Sequence, residues 1–322
     1  MMIFFNNKKL GLISALALVF SLSNQALANS GCALASGYEL PVGVEFAEYC
    51  SFDEGLAPII KNGKYGFVNQ RGQVKINPEY DLSGAFVEGL ASVDKNEKSG
   101  YIDTAGEVVI PFIYDIAYPF DDGLAVVVKD DKRGVIDKKG QIVIPITYDD
   151  LIGFQEGLSA VEKDGKYGYI DINNKLVIPY EYDSTISFTE SLAAVEKNGK
   201  FGFISRLNNI VIPIEYQSVT WFSGDLAVVK KDNKFMIINR SNQVIKQLNH
   251  AVVYPFINGL ALVHNICENN YSKDGFIDTK GDIVIPLIYD DIPFLYPFSD
   301  GTAYVQKDGE WFYIDRQGKR LE

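Results

Sequence analysis

Apolar residues return along this chain at one fixed interval. Phenylalanine stands at Phe52, Phe86, Phe120, Phe154, Phe188, Phe222 and Phe256, each step being 34 residues, and Phe298 resumes the series after an insertion. Leucine follows at Leu56, Leu90, Leu124, Leu158, Leu192, Leu226 and Leu260. An aliphatic position recurs at Ile59, Val93, Val127, Val161, Val195, Val229, Val263 and again at Val305. Three ladders at one period identify a tandem repeat, in which one unit is too small to bury its apolar residues alone.

Each unit reads as a three-strand meander. The first predicted strand is typified by Leu192-Ala193-Ala194-Val195-Glu196-Lys197, with Leu and Val at alternating-face spacing. It ends in Asn62-Gly63, Asp164-Gly165, Asn198-Gly199 or Asp308-Gly309, the pairs that a type I′ hairpin needs because both central residues have positive φ. The second strand alternates aromatic residues with glycine, as in Tyr167-Gly168-Tyr169-Ile170-Asp171, so its rings share one face. A second turn, Asp-x-x-Gly, follows at Asp103 to Gly106, Asp137 to Gly140, Asp278 to Gly281 and Asp315 to Gly318. The third strand is a β-branched run such as Ile142-Val143-Ile144. Proline is expected to stop it, at Pro111, Pro145, Pro179, Pro213 and Pro286, for want of an N–H. A Tyr-Asp pair, as at Tyr148-Asp149, opens the link to the next unit.

This unit resembles the WG-repeat family, bacterial tandem repeats named for a Trp-Gly pair at the start of the middle strand, over residues 52–322. The aromatic residue here is Tyr65, Tyr167, Phe201 or Phe235, and Trp311 precedes Phe312 rather than glycine. The resemblance implies a repeat scaffold without a common catalytic activity. The expected fold is all-β: stacked 34-residue meanders forming an open β-solenoid or superhelix, with a propeller-like closed ring as the alternative. The open form is preferred because propeller blades typically have four strands. The expected organisation is a leader at 1–28, an N-terminal cap segment at 29–51, and a repeat domain at 52–322 with about seven units and a truncated last one.

The leader is read from Lys8-Lys9, the apolar run Leu10 to Leu22, and Ala26-Leu27-Ala28, which together make a signal peptide cleaved after Ala28. Thirteen apolar residues fall short of the roughly 20 that span a bilayer. The expected location is therefore the periplasm or outside the cell, with no membrane insertion after cleavage. In that compartment Cys32 and Cys50 are a candidate disulfide pair, leaving Cys267 single; other pairings stay open. The net charge is −12, from 30 basic and 42 acidic residues, and loss of Lys8 and Lys9 makes it more negative. Such a surface disfavours nucleic acid and anionic lipid, and leaves basic proteins, metal cations and neutral polymers open as partners.

No catalytic constellation stands out, and no cofactor or metal is expected. His250 falls on the column of Tyr80, Tyr114, Tyr148, Tyr182 and Tyr216, as a divergent repeat residue. His264, Cys267 and Glu268 fall together in an irregular stretch, but no further Cys or His completes a metal set. The paired acids Asp121-Asp122, Asp149-Asp150 and Asp290-Asp291 suit turns better than the facing carboxylates of a glycoside hydrolase. The repeat decays at Met236, Asn239 and the missing proline between Gln243 and Asn249, and extra residues follow at 265–272 and 290–300. The candidate partner-binding residues are accordingly His264, Cys267, Tyr271 and Tyr296. The expected function is a non-catalytic exported scaffold binding an extended protein or a cell-envelope glycan. The alternatives are an envelope glycan hydrolase using paired acids, and a bacterial effector or its neutralising partner.

Overall fold

The computed structural model describes residues 32–48, 50–266, 272–293, 298 and 301–321, and the regular structure among them is all β-strand. Seven four-stranded antiparallel sheets follow one another, and an eighth unit is built on Thr302–Lys307 and Glu310–Asp315. The fourth unit is typical, pairing Asp150–Leu151, Leu158–Lys163, Lys166–Asp171 and Leu176–Tyr182 in that order. Three strands per unit is thus corrected to four. The extra strand lies directly after the Tyr-Asp pair and is two residues long in most units, too short to show an alternating pattern. With four strands per unit, the strand-count argument for an open array no longer holds.

The hairpin turns form as their residues require. Asn62, Asp164, Asn198 and Asp308 have φ of 51° to 54°, each followed by a glycine at 72° to 80°. In the Asp-x-x-Gly turns one carboxylate oxygen accepts two backbone N–H groups, as Asp137 does from Lys139 and Gln141 at 2.9 and 2.8 Å.

Proline does not stop the last strand of a unit. In the fourth unit Tyr167 faces Tyr182 while Tyr169 faces Ile178, so the outer strand carries two extra residues as a bulge, and Pro179 sits inside it where no ladder N–H is needed. The bulge presses the Ile178 carbonyl over Gly168, where a Cβ would lie 2.6 Å from the oxygen. Gly66, Gly100, Gly134, Gly202 and Gly275 meet the same obstacle at 2.4 to 2.6 Å. The sixth unit provides the contrast: with no proline, Phe235, Met236 and Ile237 pair one to one with Leu248, Gln247 and Lys246, and Met236 fits where glycine is otherwise required.

Units are buried against one another rather than within themselves. Leu158, Ala160, Tyr167 and Tyr169 of the fourth unit pack on Phe188, Ala193, Val195 and Ile204 of the fifth. Val161 and Ile170 of the fourth unit pack backward on Val135 and Ile144 of the third. Leu158 and Val161 therefore serve opposite faces. The first unit's Ala57, Ile59 and Val68 are covered by Cys32, Leu40, Val44, Phe46 and Phe52, and a Cys32–Cys50 disulfide with Cα atoms 5.7 Å apart ties that segment down.

Ionic clasps join the units at one end. Lys64–Asp81, Lys98–Asp115, Lys132–Asp149, Lys166–Asp183 and Lys273–Asp290 each link a hairpin to the start of the following unit. The second oxygen of each aspartate accepts a backbone N–H from its own unit's hairpin, as Asp115 does from Asp130 at 2.7 Å. The Tyr-Asp aspartates are thus inter-unit ties as well as turn residues.

Two expectations follow. Gly168→Ala should lower unfolding stability by about 1–3 kcal/mol, read from denaturant titration, because the added methyl meets backbone rather than a movable side chain. The lysine beside each clasp aspartate holds its carboxyl below the usual range. A depressed folded-state pKa means that this stabilisation is complete above the unfolded carboxylate value of about 4 and is lost as pH falls through the folded one. Burial raises Glu162, Glu196 and Asp291, which act in the opposite sense as pH rises. The melting temperature should therefore fall more steeply below about pH 4 in the parent protein than in an Asp149→Asn, Asp183→Asn double variant.

Candidate binding cleft

At most junctions an aromatic residue on the third strand of one unit meets the ladder phenylalanine of the next. Phe67–Phe86, Tyr101–Phe120, Tyr169–Phe188, Phe203–Phe222 and Phe276–Phe298 bring ring centroids within 4.7 to 4.9 Å. These rings are core, so a broad exposed aromatic face is not what the repeat builds. At the junction of the third and fourth units, however, the aromatic position is Val135. Phe154 meets no ring there and is half-buried, whereas Phe86, Phe120, Phe188 and Phe222 are 1–2% exposed.

A cleft of about 680 Å³ opens at this junction. Val135 and Leu151 lie buried at its closed end, and Val126, Ile152, Phe154 and Tyr118 form its walls. Exposed Asp121, Asp122, Gln155, Glu156 and Ile172 form the mouth.

Two further departures from the repeat converge on that mouth. Elsewhere a glutamate at the Glu-Gly turn reaches into the next unit: Glu54 and Glu88 accept the N–H of Gly89 and Gly123, and Glu156 and Glu190 those of Ser191 and Gly224, at 2.8 to 3.2 Å. Asp122 holds this position in the third unit and is one methylene shorter. It makes no such bond to Gly157 among the described residues. A basic side chain from the next unit also caps several of these turns: Lys138 binds Glu88, Arg240 binds Glu190, and Arg316 binds the Asn258 carbonyl. The residue in that column opposite Asp122 is Ile172, 41% exposed. Among the described residues Asp121 and Asp122 have no ion-pair partner, whereas Glu156 accepts the Ser191 N–H and has the Arg206 guanidinium beside its turn at Gly157.

One wall of the cleft holds a buried charge. The Arg133 guanidinium pairs with Asp150, whose side chain is 5% exposed. Asp150 also accepts the Tyr167 hydroxyl at 2.8 Å and its neighbour's Leu151 N–H at 2.8 Å. Burial, then the Asp150 charge, pushes the Tyr167 phenol well above its usual range, so it stays a donor. The Arg133 charge is thereby neutralised within the protein, and the uncompensated charge of the cleft is the acidic mouth.

The residues singled out by sequence irregularity lie elsewhere. His264 is joined through Nδ1 to Asp274, which is 1% exposed, and shares a 2.9 Å hydrogen bond through Nε2 with the Tyr254 hydroxyl. Neither partner was visible in the H-x-x-C-E spacing. Asp274 and Asp291 occupy the repeat positions of Arg133 and Asp150, and burial, then the Asp274 charge, raises the Asp291 carboxyl. His250 faces Asn265 at 3.2 Å. Cys267, Tyr271 and Tyr296, like the cleavage site after Ala28, lie outside the described residues. Among the described residues no group of three or more His, Cys, Asp or Glu side chains is arranged to hold a metal ion. No helix among them is long and apolar enough to cross a membrane. Of the paired acids, Asp149, Asp150 and Asp290 are engaged in ion pairs with Lys132, Arg133 and Lys273.

The model of the WG-containing repeat matches residues 65–98, 100–132, 134–167, 167–201, 201–235 and 275–311. The chain belongs to the WG-containing repeat family. The match skips residues 236–274, which take in Met236 at the WG-repeat glycine position, the sixth unit's proline-less last strand and most of the seventh unit. No curated protein matches this WG-repeat chain by sequence. Among solved structures it is similar to a eukaryotic initiation factor, with 10% identity and a TM-score of 0.59 over 88% of this chain and 89% of that one. That likeness concerns the fold alone. Weaker likenesses are to Hsv2 of Kluyveromyces lactis, with 10% identity and a TM-score of 0.40 over 88% of this chain and 99% of that one, and to AztD of Citrobacter koseri, with 13%, 0.39, and 75% and 82%.

Asp150→Ala should destabilise the protein by about 3–5 kcal/mol, since it strands the buried Arg133 charge and the Tyr167 hydroxyl together. Tyr167→Phe should cost only about 1 kcal/mol, and chemical denaturation of both variants separates the two effects.

Proposed function

We propose that this protein is an exported, non-catalytic scaffold that binds an extended protein partner, with the cleft between its third and fourth units as the point of specificity. The tandem repeat supplies the scaffold. The observation that carries the binding reading is the cleft itself: an apolar interior under a polar mouth, in the size range of pockets that take side chains or small ligands. It occurs where Val135, Asp122 and Ile172 all depart from the repeat, so one junction is specialised among several regular ones. A net charge of −12 favours a basic partner and fast encounter with it. Export rests on the leader sequence at residues 1–28.

The units are proposed to stack as an open array rather than close into a ring. Two features support this. The first unit's outer face is covered by residues of the 32–52 segment, and Tyr313 on the last unit is 46% exposed where its counterparts Tyr101, Tyr169 and Phe276 are 0–1%.

The test uses full-length chain with a C-terminal tag. The recovered protein should lack residues 1–28, scatter X-rays as an elongated particle, and capture a saturable protein from envelope extract. Val135→Phe, which fills the cleft with the ring that other junctions carry, should abolish capture while leaving the melting temperature unchanged or higher. Capture of a glycan instead, or capture indifferent to Val135→Phe, would remove this reading.

A further inference from the structure

The cleft also specifies what fills it, an inference that rests on the binding role proposed above. Most other junctions hold at least one of two things that this one lacks, the sixth, where Ile237 meets Phe256, also being without the ring. The first is an aromatic ring set against the ladder phenylalanine, as Phe203 is against Phe222 at 4.8 Å. The second is a cation at the Glu-Gly turns, as Lys138 supplies to Glu88 at 2.9 Å and Arg240 to Glu190. At the third junction Val135 removes the ring, Ile172 removes the cation, and Asp122 is too short to reach the next turn. What remains is an apolar cleft beside Phe154 under two carboxylates, Asp121 and Asp122, with no ion-pair partner among the described residues.

We infer that the cleft takes a segment of a partner protein presenting an aromatic side chain next to a lysine or arginine. The ring lies against Phe154 and Val135, in the role that Tyr169 or Phe203 plays toward its ladder phenylalanine. The basic group lies between Asp121 and Asp122, in the role of Lys138 or Arg240. The partner thus completes the junction with the same two contacts that the repeat makes internally. A ring pair contributes beyond its buried area, and the basic group meets carboxylates that are already gathered. An acidic or purely aliphatic segment satisfies neither requirement. The Arg133 charge does not alter this, because Asp150 neutralises it within the wall.

Isothermal titration of the folded chain with three blocked peptides tests the inference: Ac-Gly-Phe-Arg-Gly-NH2, its Phe→Ala version and its Arg→Gln version. The first should bind saturably, each of the others at least about tenfold more weakly, and raising the salt should weaken the first by screening the mouth carboxylates. Ile172→Lys places the internal cation that other junctions carry on an exposed position. It should weaken the Phe-Arg peptide at least about tenfold with the melting temperature unchanged. Equal binding of the Arg and Gln peptides, equal binding by the parent protein and Ile172→Lys, or preference for a chitotetraose probe would overturn the inference. If the partner captured from extract is lost on Val135→Phe but not on Ile172→Lys, the scaffold role stands and this ligand class falls.

Discussion

Everything in this fold depends on the fact that a 34-residue unit of four short strands cannot bury its own apolar residues. Leu158 and Val161 stand three residues apart on one strand and so face opposite neighbours, and both are buried because a unit lies on each side. The repeat is thus a chain of interfaces rather than a chain of small cores. Stability in such an array is a sum of unit and nearest-neighbour contributions. A change at one junction costs that junction and leaves the others in place, which allows the third junction to depart from the pattern at three positions.

The electrostatics follow the same logic. Lysine and aspartate 17 residues apart, and glutamate reaching a backbone N–H 34 or 35 residues on, fasten the two ends of several junctions. These ties are exposed, and each alone is weak in water. Their function is registration: they fix how far one unit slides past the next, so that at most junctions the ladder phenylalanine arrives over a ring. Where the ring, the reach and the cation are all missing, the fourth unit is joined to the third by the Lys132–Asp149 clasp and by the buried Arg133–Asp150–Tyr167 contacts.

The periodic part of this architecture was legible in the sequence because each ladder residue does one job repeatedly. Phe188 and Phe222 pack, Asn198-Gly199 turns, and Asp137 closes its turn, all as their types dictate. The two-residue first strand was not legible, since a pattern of period two needs more than two residues. The role of proline was misread as termination, because a bulge is a relation between two strands and appears in neither alone. The cleft was missed for a related reason. Insertions and divergent residues draw attention to 236–300, whereas Val135, Asp122 and Ile172 are ordinary residues that signify only against their own columns. His264 was noticed for its type, but its partners Asp274 and Tyr254 become neighbours only through strand pairing across the unit.

The name-giving glycine of the family has a physical account in this one chain. It is present wherever the outer strand bulges in this way, because a carbonyl of the bulge occupies the place of a Cβ; proline follows that carbonyl directly in five units and one residue later, at Pro78, in the first. It is replaced by Met236 in the unit whose outer strand lacks both proline and that bulge, and by Phe312 where the outer strand is represented by the single bridge from Ile314 to Arg320. Glycine, bulge and proline therefore behave as one element split between two strands. Installing glycine in the sixth unit would open a gap rather than restore the pattern, and removing proline elsewhere would leave the glycine constraint in force until the bulge itself relaxed. The aromatic residue before the glycine answers to a different requirement, the packing of the following unit. This is why Tyr, Phe, Ser, Arg and Asp can all stand there while the glycine does not vary with them.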